Sequence, residues 1–226
     1  MQCYRCRSDP AIFQPYSGRN LCRDHFIADF EARAKRAIRQ HQWMRPGDHI
    51  AVPLSGDRAS SGLCFFLQDL ARTRRDIRIS AIPTDPGTMA GPDGPTPEEA
   101  AAGIGATRFA LPAGLDEIAV SVLSGILRGL PALTPVSGGP GKGTGKPIPR
   151  IYPFSGIPAE EIILYARLQD VGSDISRPGE SRGIFHNEVK TILDGYGSRH
   201  PATKYAVANL GHQLARCGLF TDEEIP

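Results

Sequence analysis

The stretch that most constrains how this chain folds runs from Ile50 to Gly62, with the sequence IAVPLSGDRASSG. An apolar run, Ile50 to Leu54, precedes the small residues Ser55 and Gly56, and a segment that favours a helix follows. A strand that turns through small residues into a helix directs backbone N–H groups and a helix N-terminus at one point. The stretch therefore predicts a turn that can bind an anion such as phosphate.

Strands that alternate with helices along the chain predict an α/β fold with a doubly wound parallel sheet. The predicted strands cover residues 50–54, 77–82 and 107–111, and the predicted helices cover residues 24–41, 59–74, 116–130, 159–170, 180–196 and 201–216. Thr96 and Glu99 form a capping box with Pro97 between them, which predicts a further short helix. Ligands of such sheets bind at the carboxyl ends of the strands, where the loops at Ser55 and Asp85 both lie.

Four potential metal ligands lie close to the start of the chain. Cys3 and Cys6 form a CxxC pair, and Cys22 and His25 form a CxxH pair after fifteen intervening residues. Two pairs of this kind supply the four tetrahedral ligands of a structural zinc ion, with no position left for a substrate. The segment thus predicts a zinc ribbon that folds only with its metal, whereas the alternative is free cysteines and a chance histidine.

Composition narrows the class of protein. The chain has 226 residues, 40% of them hydrophobic and 22% charged, with a net charge of +2. It has neither the pattern of a signal peptide nor an apolar run of the roughly 20 residues that a membrane helix needs. We therefore expect a cytoplasmic protein without a membrane partner. We also expect three parts: a zinc ribbon at 1–26, an α/β domain at 27–150 and a helical, tRNA-binding-like region at 151–226.

Basic residues gather in two places. Arg33, Lys35, Arg36 and Arg39 lie on the helix that follows the ribbon, away from its apolar face. The C-terminal helical region carries a second group, namely Arg177, Arg182, Lys190, Arg199, His200 and Lys204. Either group could contact the phosphates of a nucleic acid, and ordinary solvated surface charge is the alternative. Glu160, Glu161, Glu180 and Glu188 would dilute the second group.

The order of these pieces resembles the PP-loop ATPases that thiolate tRNA, of the TtuA/TtcA type. The resemblance runs from Cys3 to about Leu214 and rests on several motifs together. They are the CxxC and LCxxHF pieces, the Ser-Gly loop, the acidic helix start at 115–117 with its end at 125–129, the segment 149–166, and the turn at 201–204. The resemblance implies a PP-loop fold of the HUP-like kind, cleavage of ATP between its α and β phosphates, and adenylation of a tRNA base before sulfur insertion.

The resemblance also implies which residues would surround ATP and Mg²⁺. These are Ser55, Gly56, Asp57, Arg58, Ser60 and Ser61 in the loop, with Asp85 and Gly87 bordering the nucleotide. The family loop reads SGGxDS, so Asp57 replaces its second glycine and Ala59 replaces its aspartate. Asp57 adds a negative charge where pyrophosphate would approach, although the sequence leaves open whether its side chain points into the site or away from it. Arg58 could still contact a phosphate.

The sulfur chemistry of the family depends on cysteines that this chain lacks. There is no cysteine between Ile82 and Arg150, and none near Asp174. Cys64 and Cys217 alone cannot hold a three-cysteine cluster, so we expect no iron–sulfur cluster. Cys64 lies among apolar residues of a helix and is predicted to be a buried thiol.

These observations favour a degenerate PP-loop protein that is related to tRNA sulfurtransferases and lacks their sulfur transfer. It would have no catalytic residue of its own. It would act by binding nucleotide, tRNA or a protein partner such as an active paralogue, in a homo-oligomer or a hetero-complex. One alternative is a working adenylating enzyme that takes sulfur from a separate donor. The other is a zinc-containing scaffold that binds neither ATP nor RNA.

Overall fold

A parallel sheet of four strands lies at the centre of the chain. The computed structural model describes residues 2–84, 95–129, 148–174 and 183–216. The sheet has the order β4-β3-β5-β6, with all neighbouring strands parallel. Residues Ile50, Ala51 and Val52 of β3 are completely buried, because a central parallel strand is covered on both faces. The predicted α/β class with a parallel sheet is therefore confirmed.

The strands and helices follow one another in the alternating order that the sequence predicts. Within the described residues, the elements are β1 (Ile12–Gln14), β2 (Arg19–Leu21), α1 (Arg23–Gln40), β3 (His49–Leu54), α2 (Arg58–Ala71), β4 (Arg78–Pro83), α3 (Pro97–Gly103), β5 (Arg108–Ala110), α4 (Leu115–Leu127), β6 (Arg150–Ile151), α5 (Ala159–Leu168), α6 (Gly183–Gly197) and α7 (Thr203–Arg216). Helix α3 begins with the predicted capping box, in which Thr96 and Glu99 bond to each other's backbone N–H. Strand β6 was not predicted from the sequence, because two residues carry too little periodicity.

Helix α1 connects the N-terminal ribbon to the core. Its buried residues, Phe26, Phe30, Ala34 and Ile38, recur every four positions along one face. Phe30 stacks on Tyr165 of α5 with ring centroids 4.1 Å apart and an interplanar angle of 6°. Strands β1 and β2 form an antiparallel hairpin immediately before α1. The hairpin and its helix are thereby fixed against the main body of the protein.

Helices α4, α6 and α7 pack together beside the sheet. Ala119 and Val120 of α4 share an apolar cluster with Val189 and Leu193 of α6. Among the described helices there is no segment long and apolar enough to cross a membrane. The predicted division into three parts stays a prediction.

Candidate functional site

The metal ligands predicted at the start of the chain come together in space. The donor atoms of Cys3, Cys6, Cys22 and His25 all lie within 4.8 Å of one another. Individual separations are 3.5 Å for Cys6 Sγ to Cys22 Sγ and 3.2 Å for Cys22 Sγ to His25 Nδ1. Four ligands around one zinc ion would lie about 3.7 Å apart, given a Zn–S distance of about 2.3 Å. We call this group the knuckle, and its geometry is consistent with a zinc ribbon.

Local structure explains why these four side chains converge. Cys22 stands at the N-cap of α1, so His25 follows it by three residues on the first turn of the helix. The backbone N–H of Arg7 donates to Cys3 O at 3.1 Å, which closes the turn that carries Cys6. Arg7 has a positive φ of 64°, as a tight turn of this kind requires.

The thiols of the knuckle shift one another's pKa values through electrostatic interactions and hydrogen bonds. Burial raises the pKa of the Cys3 thiol, but backbone hydrogen bonds at Cys22, Arg5 and Cys6 outweigh it and lower that pKa to about 6. A backbone hydrogen bond at His25 lowers the pKa of Cys22, but burial and the neighbouring thiols raise it by more. Three thiolates this close repel each other, so a divalent cation is what allows all of them to be ionised together.

The loop after β3, residues Ser55–Ser61, turns from the strand into helix α2, and we call it the Ser55 loop. Gly56 has a φ of +78°, a conformation that glycine adopts at low cost. The carboxylate of Asp57 lies at the start of α2 and accepts hydrogen bonds from the backbone N–H groups of Ala59 and Ser60 at 2.8 and 2.9 Å. It also accepts a short hydrogen bond from the Ser55 hydroxyl. A carboxylate of the chain itself therefore caps the helix N-terminus at which the sequence predicts an anion such as phosphate.

Asp57 is ionised in this position. Partial burial raises its pKa, but the hydrogen bonds from Ser55, Ser60 and Ala59 outweigh burial and lower the pKa below its usual value. A negative charge at a helix N-terminus is also favoured by the helix dipole. The sequence left open whether Asp57 points into the loop or away from it, and the structure places its carboxylate inside.

Arg58 points away from the loop towards the segment that follows α5. Its Nε and Nη2 atoms contact the carboxylate of Asp174 at 2.6 and 3.1 Å, and its Nη1 donates to Val171 O at 3.3 Å. Arg167 pairs with the same carboxylate at 3.0 Å. The two arginines lower the pKa of Asp174 to about 2. Arg58, the residue predicted to contact phosphate, is thus engaged with protein atoms.

The remaining residues of the predicted nucleotide site divide into two groups. Ser60 is buried, and its hydroxyl lies 3.1 Å from that of Ser55. Ser61 is half-buried on the first turn of α2. Asp85 and Gly87 lie outside the described residues. The structure therefore brings Ser55, Gly56, Asp57, Ser60 and Ser61 together, and their role in nucleotide binding stays a prediction.

A buried polar network that the sequence did not reveal joins the ribbon to the body. Glu161 of α5 is only 1% exposed, and it forms a short ion pair with Arg33 of α1. It also accepts a hydrogen bond from the hydroxyl of Tyr16 at 2.7 Å and one from Gln14 at 3.3 Å. The expectation that Glu161 is a surface charge is therefore wrong. Helical spacing could have indicated this burial, because Glu161 lies four residues before Tyr165 and therefore on the same buried face of α5.

The C-terminal group of basic residues is largely neutralised where the structure describes it. Lys204 pairs with Asp116 and, at 2.6 Å, with Asp194. Lys190 pairs with Asp194 at 2.5 Å. The guanidinium of Arg199 lies over the ring of Tyr196. Arg177 and Arg182 belong to the same predicted group and lie outside the described residues.

Comparisons with known proteins agree with this geometry. Residues 2–27 match the N-terminal LIM domain of the 2-thiouridine synthetase TtuA. The tRNA 2-thiolation protein NcsA of Haloferax volcanii is 24% identical, over 95% of this chain and 87% of that protein. The tRNA-5-methyluridine(54) 2-sulfurtransferase of Thermus thermophilus is 33% identical over 31% of this chain and 22% of its own length. The resemblance to tRNA-thiolating proteins is therefore confirmed.

A solved structure shares the fold and corrects one expectation. The U34-tRNA thiolase NcsA from Methanococcus maripaludis, solved with its [4Fe-4S] cluster, has a TM-score of 0.73 and 19% sequence identity, covering 95% of this chain and 87% of that one. The expectation that no iron–sulfur cluster is involved is wrong on this finding, because a chain of the same fold carries one. That expectation counted only Cys64 and Cys217 as possible cluster ligands, and it assigned the three thiols of the knuckle to zinc.

Proposed function

We propose that this relative of the tRNA 2-thiolation proteins binds tRNA, and that its Ser55 loop is held closed to ATP by the Asp57 carboxylate. The observation that carries the proposal is the position of that carboxylate, which accepts from the N–H groups of Ala59 and Ser60. A phosphate would need those same donors. It would also face the like charge of Asp57, which is ionised at neutral pH.

Support for the tRNA part comes from the relatives. The names of the proteins similar to this chain describe tRNA 2-thiolation, and one of them spans 95% of its length. In the family that the chain resembles, ATP activates the tRNA base before sulfur is inserted. A member that binds tRNA without this step needs an active partner, so we expect it to work in a complex with an active paralogue. We expect such a complex to be located in the cytoplasm.

The knuckle has a structural role in this proposal. Its four donor atoms suit one ion with all positions filled, and they leave no site for a substrate. Holding the ribbon folded keeps Gln14 and Tyr16 against Glu161, and thereby keeps the ribbon docked on α1 and α5. Analysis of anaerobically purified protein for zinc, iron and acid-labile sulfide identifies which metal the chain carries.

Calorimetric titration with ATP and Mg²⁺ tests the loop directly. We expect no measurable heat of binding for the natural chain, and binding for Asp57→Gly, which frees two backbone donors and removes a negative charge. Glycine is a tolerated N-cap residue, so the helix should be destabilised by only a few tenths of a kcal/mol. Asp69→Asn is the matched control, because it removes an exposed aspartate from α2 far from its N-terminus.

Two results would overturn the proposal. Tight binding of ATP by the natural chain with release of pyrophosphate would show a working adenylating enzyme, which the retained Ser55, Gly56 and Ser60 favour as the second candidate. The absence of a bulk-tRNA shift in native gels at low salt would remove the tRNA part. If the natural chain bound neither ligand, only the scaffold interpretation would be left.

A further inference from the structure

Exposed arginines gather at the amino edge of the parallel sheet, the edge opposite the Ser55 loop. They come from the end of α1, the turn before β3, the end of α2 and the start of β4. The exposed members are Arg36, Arg39, Arg45, Arg72, Arg74, Arg75 and Arg78, and we call this set the arginine edge. At about 3.3 Å per residue, β3 separates it from the Ser55 loop by roughly 17 Å.

Two adjoining grooves bring five of these seven side chains together. One groove, of about 550 Å³, is lined by Arg39, Arg45 and Arg74, with the stem of Lys35 beside them. The other, of about 540 Å³, is lined by Arg75 and Arg78 together with Asp48 and Asp76.

The turn before β3 joins the two grooves. The N–H of Gly47 donates to Asp76 O at 2.9 Å, and the N–H of Arg78 donates to Asp48 O at 3.0 Å. The Asp48 side chain in turn accepts from the backbone N–H of Arg45 at 2.7 Å. The two grooves therefore form one continuous surface on a rigid turn.

Most of these arginines have no acidic partner within the described residues. Arg72 pairs with Asp69, and Arg74 pairs with Asp76. No ion pair involves Arg36, Arg39, Arg45, Arg75 or Arg78 in the part of the chain that the structure describes. By contrast, the lysines of α6 and α7 are paired with aspartates. Five exposed arginines at this edge of the sheet are therefore without an ion pair in the described part of the chain.

The charge of this surface exceeds what the nearby helix ends can offset. Helices α1 and α2 both end here, and each C-terminus contributes a partial negative charge of about one half. Two exposed aspartates, Asp69 and Asp76, add to this. Seven arginines outweigh these terms, although the whole chain has a net charge of only +2. Guanidinium groups bind phosphates in a two-point geometry, so a row of them suits a phosphodiester backbone.

We propose that the arginine edge binds the phosphate backbone of RNA, at a surface distinct from the Ser55 loop and from the C-terminal helices. The proposal rests on the proposed function for the identity of the RNA, which is tRNA. Contacts to phosphates position an RNA without reading its sequence. The arginine edge therefore holds the body of the tRNA, while recognition of a particular base falls to another surface.

The test compares two triple variants of the full chain in native gels with bulk tRNA, at several salt concentrations. The first is Arg39→Gln, Arg75→Gln and Arg78→Gln, which spans both grooves. The matched control is Arg5→Gln, Arg19→Gln and Arg128→Gln, which removes the same charge from exposed positions in the ribbon and at the end of α4. Circular dichroism and thermal unfolding verify that both remain folded.

We expect the first triple to weaken tRNA binding about tenfold or more, and to reduce the slope of log K against log salt by about 2 to 3. We expect the control triple to stay within about twofold of the natural chain. Poly(U) should displace the tRNA far better than poly-L-glutamate at equal charge, because the side chains are arranged for phosphates.

Four outcomes would overturn this inference. Unchanged binding by the first triple, while the natural chain binds tRNA, would reject the arginine edge alone and leave the proposed function standing. Equal losses in both triples would show a general charge effect. Equal displacement by poly-L-glutamate would indicate an acidic protein surface as the partner. If the natural chain did not bind tRNA at all, this inference and the tRNA part of the proposed function would both fall.

Discussion

Gly172 lies directly against Asp57, in the segment that follows α5. A Cβ atom built on Gly172 would come within 2.8 Å of the carbonyl oxygen of Asp57 and within 2.9 Å of Arg58 Cα. The neighbouring Ser173 donates from its backbone N–H to Gly56 O at 3.0 Å. The segment after α5 therefore forms one wall of the Ser55 loop, and the ion pair between Arg58 and Asp174 fixes it in place.

Replacing Gly172 by alanine should loosen this wall. The residue has a φ of +71° and no room for a methyl group, so Gly172→Ala should lower the free energy of unfolding by about 2 kcal/mol. Hydrogen exchange in the Ser55 loop should also become faster. Gly195→Ala is the matched control: it lies in α6 with nothing within 4 Å of its added Cβ, and it should stabilise slightly. Equal stability of the two variants would contradict the close approach.

Removing Glu161 should leave the Arg33 guanidinium without its main partner. Breaking a buried ion pair by deleting one member costs about 3 to 5 kcal/mol. Because Asp29 also pairs with Arg33 at 3.0 Å, we expect Glu161→Ala to cost about 3 kcal/mol in urea unfolding. Glu160→Ala, on the exposed neighbour, should cost less than about 0.5 kcal/mol.

A second variant separates charge from packing at this site. The double change Glu161→Leu with Arg33→Met should recover most of the lost stability, because apolar side chains of similar volume avoid the cost of burying charge. No recovery would mean that the hydrogen bonds of Tyr16 and Gln14 to Glu161 matter more than the ion pair.

Disrupting the knuckle should release its metal. Cys22→Ser removes one of four ligands that lie within 4.8 Å of one another. We expect the zinc content of the purified protein to fall below about half an equivalent, with greater proteolysis of the first 26 residues, because a ribbon without a core of its own folds with its metal. Cys64→Ala, at a buried thiol outside the knuckle, should leave the zinc content unchanged. Retention of a full equivalent in Cys22→Ser would contradict the ligand set.

The stability of the chain should fall in mildly acidic solution because of His212. Burial and the neighbouring His41, whose ring lies 5.0 Å away, lower the pKa of His212 to about 4. Between that value and the ordinary value near 6.5, the unfolded chain binds a proton that the folded chain does not, so stability decreases as the pH falls through this range. For a half-buried group, the decrease in the free energy of unfolding is on the order of 1 kcal/mol.

Urea unfolding at pH 7.0, 5.5 and 4.5 measures this effect. His212→Gln should reduce the loss of stability over this range. The exposed His200→Gln should keep it. If the two variants had the same pH dependence as the natural chain, the partial burial of His212 would not be the cause.

Local sequence was sufficient to predict the features that interactions between residues close in sequence determine. The four-residue spacing of Phe26, Phe30, Ala34 and Ile38 predicted α1, and the capping box at Thr96 and Glu99 predicted the start of α3. The alternation of strands with helices predicted the parallel sheet. The spacing of the cysteines and His25 predicted which ligands would meet, because each pair is closed by its own turn.

Tertiary structure alone decided the features that depend on distant parts of the chain. The Asp57 side chain had two directions open to it, and the packing of Gly172 and Asp174 against the Ser55 loop fixes its surroundings. From the sequence, Glu161 was expected to be a surface charge. It is buried because its partners on α1 and the ribbon, which lie more than a hundred residues away in sequence, pack against it. The order of charged residues in the sequence does not show which arginines will form ion pairs with acidic side chains. That depends on which strands, helices and turns meet at one edge of the sheet.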